Sequence, residues 1–326
     1  MVSRRAFLQY SAAGFASVAF APAAFATGTY PQRPVRIIVP FPVGGGTDIL
    51  ARLIAGKLGD QLGQRFYVEN IAGAGGSNGT GQAARAAPDG HTLLFAFSSF
   101  VVNPSLSKQL PYDAVKDFDP ITLAATTTTV LIVHPSIPAK SVEELVAYVR
   151  ANPAKHNFAS GGMGTQAHLV GEQLRLALDL DLVHVPFGGA GPSVQSVVAG
   201  HTPIGFTSVA AALQLIKGGE LRALAVTSKL RAKSLPDVPT MTEAGLPHIL
   251  GDSWVGVLVP AQTPKGIAAT LYREIDRIIR QPEINQRLET LGYEPVGSTP
   301  EEFAAEIKVE LGKWAEVVEA ARIKVK

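Results

Sequence analysis

From Thr27 onward, short β-branched and apolar runs alternate with stretches of helical periodicity. This alternation confines the chain to the α/β class, with mainly parallel sheets flanked by helices. Val35-Arg36-Ile37-Ile38-Val39 suits a buried parallel strand. A Gly-rich loop follows, and a helix opens near Thr47-Asp48. Its buried face is Leu50, Leu53, Ile54, Leu58 and Leu62. The unit repeats with a strand over 65–69, a second Gly-rich loop over 70–81 entering a helix, and a strand over 92–97. Ser98-Ser99-Phe100 reads as a loop.

The 326 residues, 46% of them apolar, suffice for two lobes with their own cores. A long β-rich stretch at 121–134 reads as a crossing between lobes, and the apolar run 252–259 as the return. The spacing therefore predicts a first lobe from 27–129 and 252–326 and a second from 130–251. In the second lobe, Ser141-Val142-Glu143-Glu144 opens a helix as a capping box. Strands over 157–159, 182–185, 204–207 and 221–227 and helices over 166–178 and 192–199 follow. Near the end, Thr299-Pro300-Glu301-Glu302 is a second capping box. It opens a helix with Phe303, Ile307, Leu311, Trp314 and Val318 on its buried stripe. A cleft between two such lobes is the expected ligand site, because pockets favour domain interfaces.

The first 26 residues read as an export signal. Ser3-Arg4-Arg5-Ala6-Phe7-Leu8 provides a basic start, a weakly polar Ala-rich run follows, and Ala24-Phe25-Ala26 ends it. Cleavage after Ala26 is expected. The paired arginines resemble a twin-arginine signal, with a general secretory signal as the alternative. No later run approaches the roughly 20 apolar residues that span a bilayer, so the expected location is the periplasm. Without Arg4 and Arg5, 27 basic residues face 27 acidic ones. That balance gives no basis for a nucleic-acid partner. The chain has no cysteine, which excludes disulfides, thiolate metal sites and thiol nucleophiles.

The chemistry concentrates in two Gly-rich loops, each between a strand and a helix: Gly44-Gly45-Gly46-Thr47-Asp48 and Gly73-Ala74-Gly75-Gly76-Ser77-Asn78-Gly79. Glycine lets backbone approach a ligand closely, and a helix N-terminus presents unpaired N–H groups. Neither loop holds Lys or Arg, so a bound anion would rest on backbone donors, hydroxyls and water. The dinucleotide fingerprint fails, because Asn78 stands where a third glycine belongs and Ser98 where an acid would follow. No Walker pattern, G-x-S-x-G elbow or H-E-x-x-H cluster is present. Ser98, Ser99 and Ser160 are hydroxyl donors without a triad, and His168 and His184 read as packing residues. Phe41, Phe187 and Phe100 are candidate cleft walls. No catalysis, metal or cofactor is expected.

The motifs resemble those of one family along nearly the whole chain after the leader. Tyr30-Pro31-Gln32-Arg33-Pro34-Val35-Arg36-Ile37-Ile38-Val39-Pro40-Phe41 begins the match, and the two Gly loops and Pro88-Asp89-Gly90 continue it. Phe158-Ala159-Ser160-Gly161, His184-Val185-Pro186-Phe187 and Leu235-Pro236-Asp237-Val238-Pro239-Thr240 follow. The chain is similar to the substrate receptors of tripartite tricarboxylate transporters, the Bug receptors. The resemblance implies a two-lobed periplasmic-binding-protein fold that closes on its ligand. It implies a monomer that delivers a small carboxylate to a membrane permease, with a sensor presenting the bound form to a signalling partner as the alternative and an enzyme as a third reading. It places the carboxylate on Val43, Gly44, Asp48, Ala74 and Gly75, and the rest of the ligand against Ser160, Thr165 and the loop after Pro186. Two positions depart from the family pattern. Phe187-Gly188-Gly189 replaces Tyr-Lys-Gly, and Thr207 stands where many relatives carry aspartate. The expected ligand is therefore a carboxylate without an ammonium group, aromatic or otherwise partly apolar, with a dicarboxylate also open.

Overall fold

The computed structural model describes residues 30–107, 109–153 and 156–320. The expected export signal and its cleavage site lie outside the described residues. The first unit follows the sequence closely. Strand β1 (Val35–Val39) leads through the first Gly loop into helix α1 (Gly46–Leu62), which buries Leu50, Ala51, Ile54, Ala55 and Leu58. This spacing puts one face of the helix on the sheet. Gly63 ends it in the left-handed region (φ 68°), its N–H returning to Gly59 O, a conformation that glycine adopts without a Cβ penalty.

Strand β2 (Phe66–Asn70) and strand β3 (Thr92–Phe97) flank β1 in parallel. Strand β9 (Asp252–Pro260) runs antiparallel between β3 and strand β4 (Phe118–Val133), and the two-residue strand β10 (Glu294–Pro295) pairs with the far side of β4. The second sheet contains strands β5 (His156–Ser160), β6 (Leu182–Pro186), β7 (Ile204–Ser208) and β8 (Arg222–Val226). Here β6, β5 and β7 are parallel, and β4 runs antiparallel between β7 and β8. The 16-residue β4 thus belongs to both sheets: up to Thr128 it pairs with β9, and from Thr129 onward with β7 and β8. The return passes through Gly251, whose N–H bonds to Thr227 O, directly into β9.

Helices cover both sheets. On the first, α1 and α8 (Lys265–Ile279) pack on one face, followed by α9 (Pro282–Thr290). Helices α3 (Ser99–Leu106) and α10 (Pro300–Ala320) pack on the other. On the second, α4 (Val142–Ala151) and α5 (Gln166–Ala177) lie opposite α6 (Ala190–Val198) and α7 (Val209–Lys217). At the second capping box, Glu302 N donates to Thr299 Oγ1 at 3.2 Å and Thr299 N to Glu302 Oε2 at 2.8 Å. At the first, Ser141 Oγ accepts from Glu144 N, but the Glu144 carboxylate reaches back to Lys140 N instead of the cap residue. Trp254 and Trp314 are core residues, as the sequence suggests.

Two loops differ from the sequence reading. Residues 98–100 are not a loop: Ser99 opens α3, whose first five residues are all buried. A helix buried all round has no polar face to give it a period. The second Gly loop ends at Gly76, and helix α2 (Ser77–Ala84) takes in Gly79 and Gly81. A Cβ on Gly79 would lie 2.7 Å from Ile71 O and 2.9 Å from Pro40, so this glycine serves close packing of the helix and not a turn.

The first-lobe core depends on α10. Phe303 is fully buried edge-on against Trp254, 5.3 Å between ring centroids, over Gly256. Phe303→Ala is expected to cost about 3–5 kcal/mol of unfolding free energy in chemical denaturation, because the helix cannot collapse into the space a ring leaves.

Candidate functional site

The carboxyl ends of β1 and β3 in one lobe face those of β5 and β7 in the other, and a cavity of about 60 Å³ lies between them. The lobes touch around it. A Cβ on Gly75 would lie 2.5 Å from Met163 O, and one on Gly189 would lie 2.7 Å from the Pro42 ring. One on Gly164 would run into Asn103 and Leu106 of α3.

Four helices direct their N-termini at this cavity. Gly45, Gly46 and Thr47 line it from the start of α1, Thr165 and Ala167 from α5, Ala190, Gly191 and Pro192 from α6, and Ser208 from α7. Thr165 caps α5 by accepting from His168 N at 3.3 Å. The other three, α1, α6 and α7, have no side-chain cap hydrogen bond. Uncapped first-turn N–H groups carry partial positive charge and need acceptors. Among the described residues no charged side chain lines the cavity; its apolar wall is Phe41, Pro42, Val43 and Phe97. Phe41 and Phe97 meet edge to face at 5.7 Å. Electrostatically, bare helix N-termini favour negative charge at the cavity.

The sequence-derived candidates divide into two groups. Phe41, Val43, Thr165 and Thr207 line the cavity. Thr207 is 1% exposed and its hydroxyl has no hydrogen-bond partner among the described residues. Gly44, Asp48, Ala74, Gly75, Ser98, Ser99, Ser160 and Phe187 are not part of this lining. Asp48 holds the first loop, accepting from Gly44 N (2.9 Å), Arg52 Nε (3.0 Å) and Asn70 Nδ2 (2.9 Å). Burial alone would raise its pKa, but these hydrogen bonds outweigh burial and hold the carboxyl below the ordinary range. In the second loop, residues 73–76 all have positive φ, Ala74 at 49° included. Asn103 Nδ2 ties that loop down through Gly75 O at 3.1 Å, and Gly76 faces the Phe41 ring and Ser99. Ser98 Oγ is buried without a partner among the described residues.

Ser160 secures the facing loop. Its hydroxyl lies 2.7 Å from His184 Nε2 and 3.2 Å from both N and O of Gly162. His184 stacks on His168 at 4.1 Å, and His168 Nδ1 accepts from Gly164 N at 3.3 Å. Burial pushes the His168 pKa down to about 4; burial and then the neighbouring His168 push that of His184 down to about 3. Both rings stay neutral in the folded protein, while the unfolded chain protonates them near pH 6.5. Their contribution to stability is therefore complete above about pH 6.5 and is lost as pH falls through about 4 and then 3. For the fully buried His168 this is on the order of 3 kcal/mol. Melting temperatures between pH 6.5 and 4 are expected to fall less steeply in His168→Gln than in the wild type; equal slopes would contradict this.

Sequence reading did not find Tyr293 or Ser253, which line the cavity. Tyr293 is buried behind α1 with its hydroxyl against Gly46, and burial raises its pKa despite a hydrogen bond with Thr47. Both lie far along the chain from the Gly loops, in no motif. For the first residues of α6 a signal existed in Gly188-Gly189, which stops a strand and opens a helix.

A two-lobed α/β fold with a cavity between its lobes, lined by bare helix N-termini, is the architecture of a solute-binding protein. Residues 50–323 match the model of the tripartite tricarboxylate transporter family receptor. The chain belongs to that family, one of binding proteins and not of enzymes. It is 37% identical over 300 residues to the protein BugT of Bordetella pertussis, covering 91% of this chain and 92% of that one. Among solved structures, an R. palustris protein with adipate matches with TM-score 0.88 and 30% identity over 90% of this chain and 99% of that one. MatC from Rhodopseudomonas palustris with bound malate matches with TM-score 0.84 and 33% identity over 89% and 100%.

Proposed function

We propose that this chain is a periplasmic receptor that captures a small dicarboxylate between its lobes and delivers it to a tripartite tricarboxylate-type permease. The observation that carries this reading is the cavity wall: each lobe contributes at least one uncapped helix N-terminus, α1 from the first and α6 and α7 from the second, with no charged side chain between them among the described residues. A carboxylate at each end of a short, partly apolar spacer would satisfy both sets of donors and lie along Phe41, Phe97 and Pro192. Among the described residues no acidic group lines the wall to pair with an ammonium. Among them no cation lines it either, which disfavours a more highly charged tricarboxylate such as citrate. The adipate and malate bound by the two relatives agree with this class.

In this reading the leader of residues 1–26 directs export by the twin-arginine route and is cleaved after Ala26. The lobes are 27–129 with 252–326, and 130–251. The monomer closes on its ligand by rotation about the crossings, and the closed form docks on the permease. A thermal-shift screen of amino acids, citrate, short dicarboxylates and aromatic acids tests the ligand class. Dicarboxylates are expected to raise the melting temperature most. A clear preference for an amino acid or for citrate would overturn the assignment.

A further inference from the structure

The molecule has a second, larger recess of about 790 Å³ that takes no part in the site above. Its floor is the pair of crossings, residues 126–128 and 251–254 with Thr227. One wall is the second-lobe segment 228–234, and the other is first-lobe, including Glu289, Glu294 and Glu310. The sheet order fixes its position. In the first sheet β4 lies between β9 and β10, and in the second between β7 and β8. The ligand cavity opens on the β9 and β7 side of β4, and the recess opens on the β10 and β8 side. The two share only Ser253 and Tyr293.

The crossings are pinned together between them. Thr227 Oγ1 donates to Gly251 O at 2.6 Å and to Thr129 O at 3.2 Å, and Thr227 N also donates to Thr129 O at 2.9 Å. A lobe turning about this point narrows one opening as it widens the other. Here the lobes touch across the ligand cavity and the recess is wide. Only Lys233 Nζ and Glu289 Oε1, 3.8 Å apart on exposed side chains, make an ion pair between its walls among the described residues.

We infer that the recess sets the balance between open and closed receptor, with its walls separating when the ligand cavity closes. Bulk that fits the wide recess but not the narrow one favours the closed form; apolar surface that draws the walls together favours the open form. This inference rests on the reading of the chain as a receptor whose lobes open and close, and its test is read without ligand. The chain has no cysteine, so Asp60→Cys on α1 and Gln195→Cys on α6, both exposed, take spin labels that report the distance between lobes. In ligand-free protein, Ser228→Trp, and independently Ser234→Trp, is expected to raise the closed-to-open ratio by about tenfold. Lys233→Leu with Glu289→Leu is expected to lower it by a similar factor. Identical distance distributions in all these proteins, or shifts in the opposite sense, overturn the inference. Thermal shift with adipate and malate on the same proteins reads the carboxylate assignment separately. Distances that move as expected while neither acid binds would leave the hinge inference standing and remove the ligand class.

Discussion

Gly75→Val is expected to abolish ligand binding in a protein that still folds. Gly75 has φ +61°, a region a β-branched residue enters only with strain. That strain costs about 1–2 kcal/mol, which a domain stable by about 5–15 kcal/mol survives. The larger effect lies across the cleft, where a Cβ would come within 2.5 Å of Met163 O and 3.4 Å of Asn103 Oδ1. Neither the backbone of one lobe nor the amide that ties down the loop can give way while the lobes touch. Closure is blocked, and affinity should fall by more than about 100-fold, roughly 2.7 kcal/mol. Gly44 provides the contrast. It also has positive φ (+83°), but nothing lies within 4 Å of its added Cβ. Gly44→Ala should weaken binding through backbone strain alone, by about tenfold or less. Calorimetry on both variants, with circular dichroism as the check on folding, reads the difference; full affinity in folded Gly75→Val would remove the lobe contact from the account.

Thr207→Asp should also eliminate carboxylate binding, by charge instead of shape. The Thr207 hydroxyl is buried at the cavity wall without a partner, one residue ahead of the uncapped start of α7. An aspartate there would occupy the donors meant for the ligand and repel it. Two carboxylates about 5 Å apart at an effective dielectric of about 20 repel by about 3 kcal/mol, a loss of more than about 100-fold. Thr207→Asn, similar in size and neutral, should stay within about tenfold of the wild type. The aspartate variant should instead accept an acid that carries an ammonium group. Unchanged affinity for dicarboxylates in Thr207→Asp would place the anion elsewhere.

Much of this architecture is legible in the residues. The strands at 35–39 and 92–97 and the capped start of α10 carry their signals locally, in β-branched runs and reciprocal side-chain hydrogen bonds. Helices α3 and α7 do not, because residues buried or apolar on most sides leave no period to detect. At the site, Gly44 to Asp48 and Thr165 announce helix starts. What the chain hides is division of labour. Asp48 and Ser160 look like polar ligands of a substrate, yet their hydrogen bonds hold the loops that present bare backbone. Tyr293 and Ser253 reach the cavity only because the chain returns to the first lobe after building the second, a tertiary fact with no local sign.

Helix N-termini, without a cation, are expected to hold the ligand by its carboxylate charge. Calorimetric titration of matched pairs, adipate against adipamide and malate against malamide, tests it most directly, since each pair keeps length and shape and changes only charge and hydrogen-bonding character. At least one acid is expected to bind and its amide to bind at least about 100-fold more weakly, because amide N–H groups meet N–H groups at the helix starts. An amide that binds as tightly as its acid would contradict it.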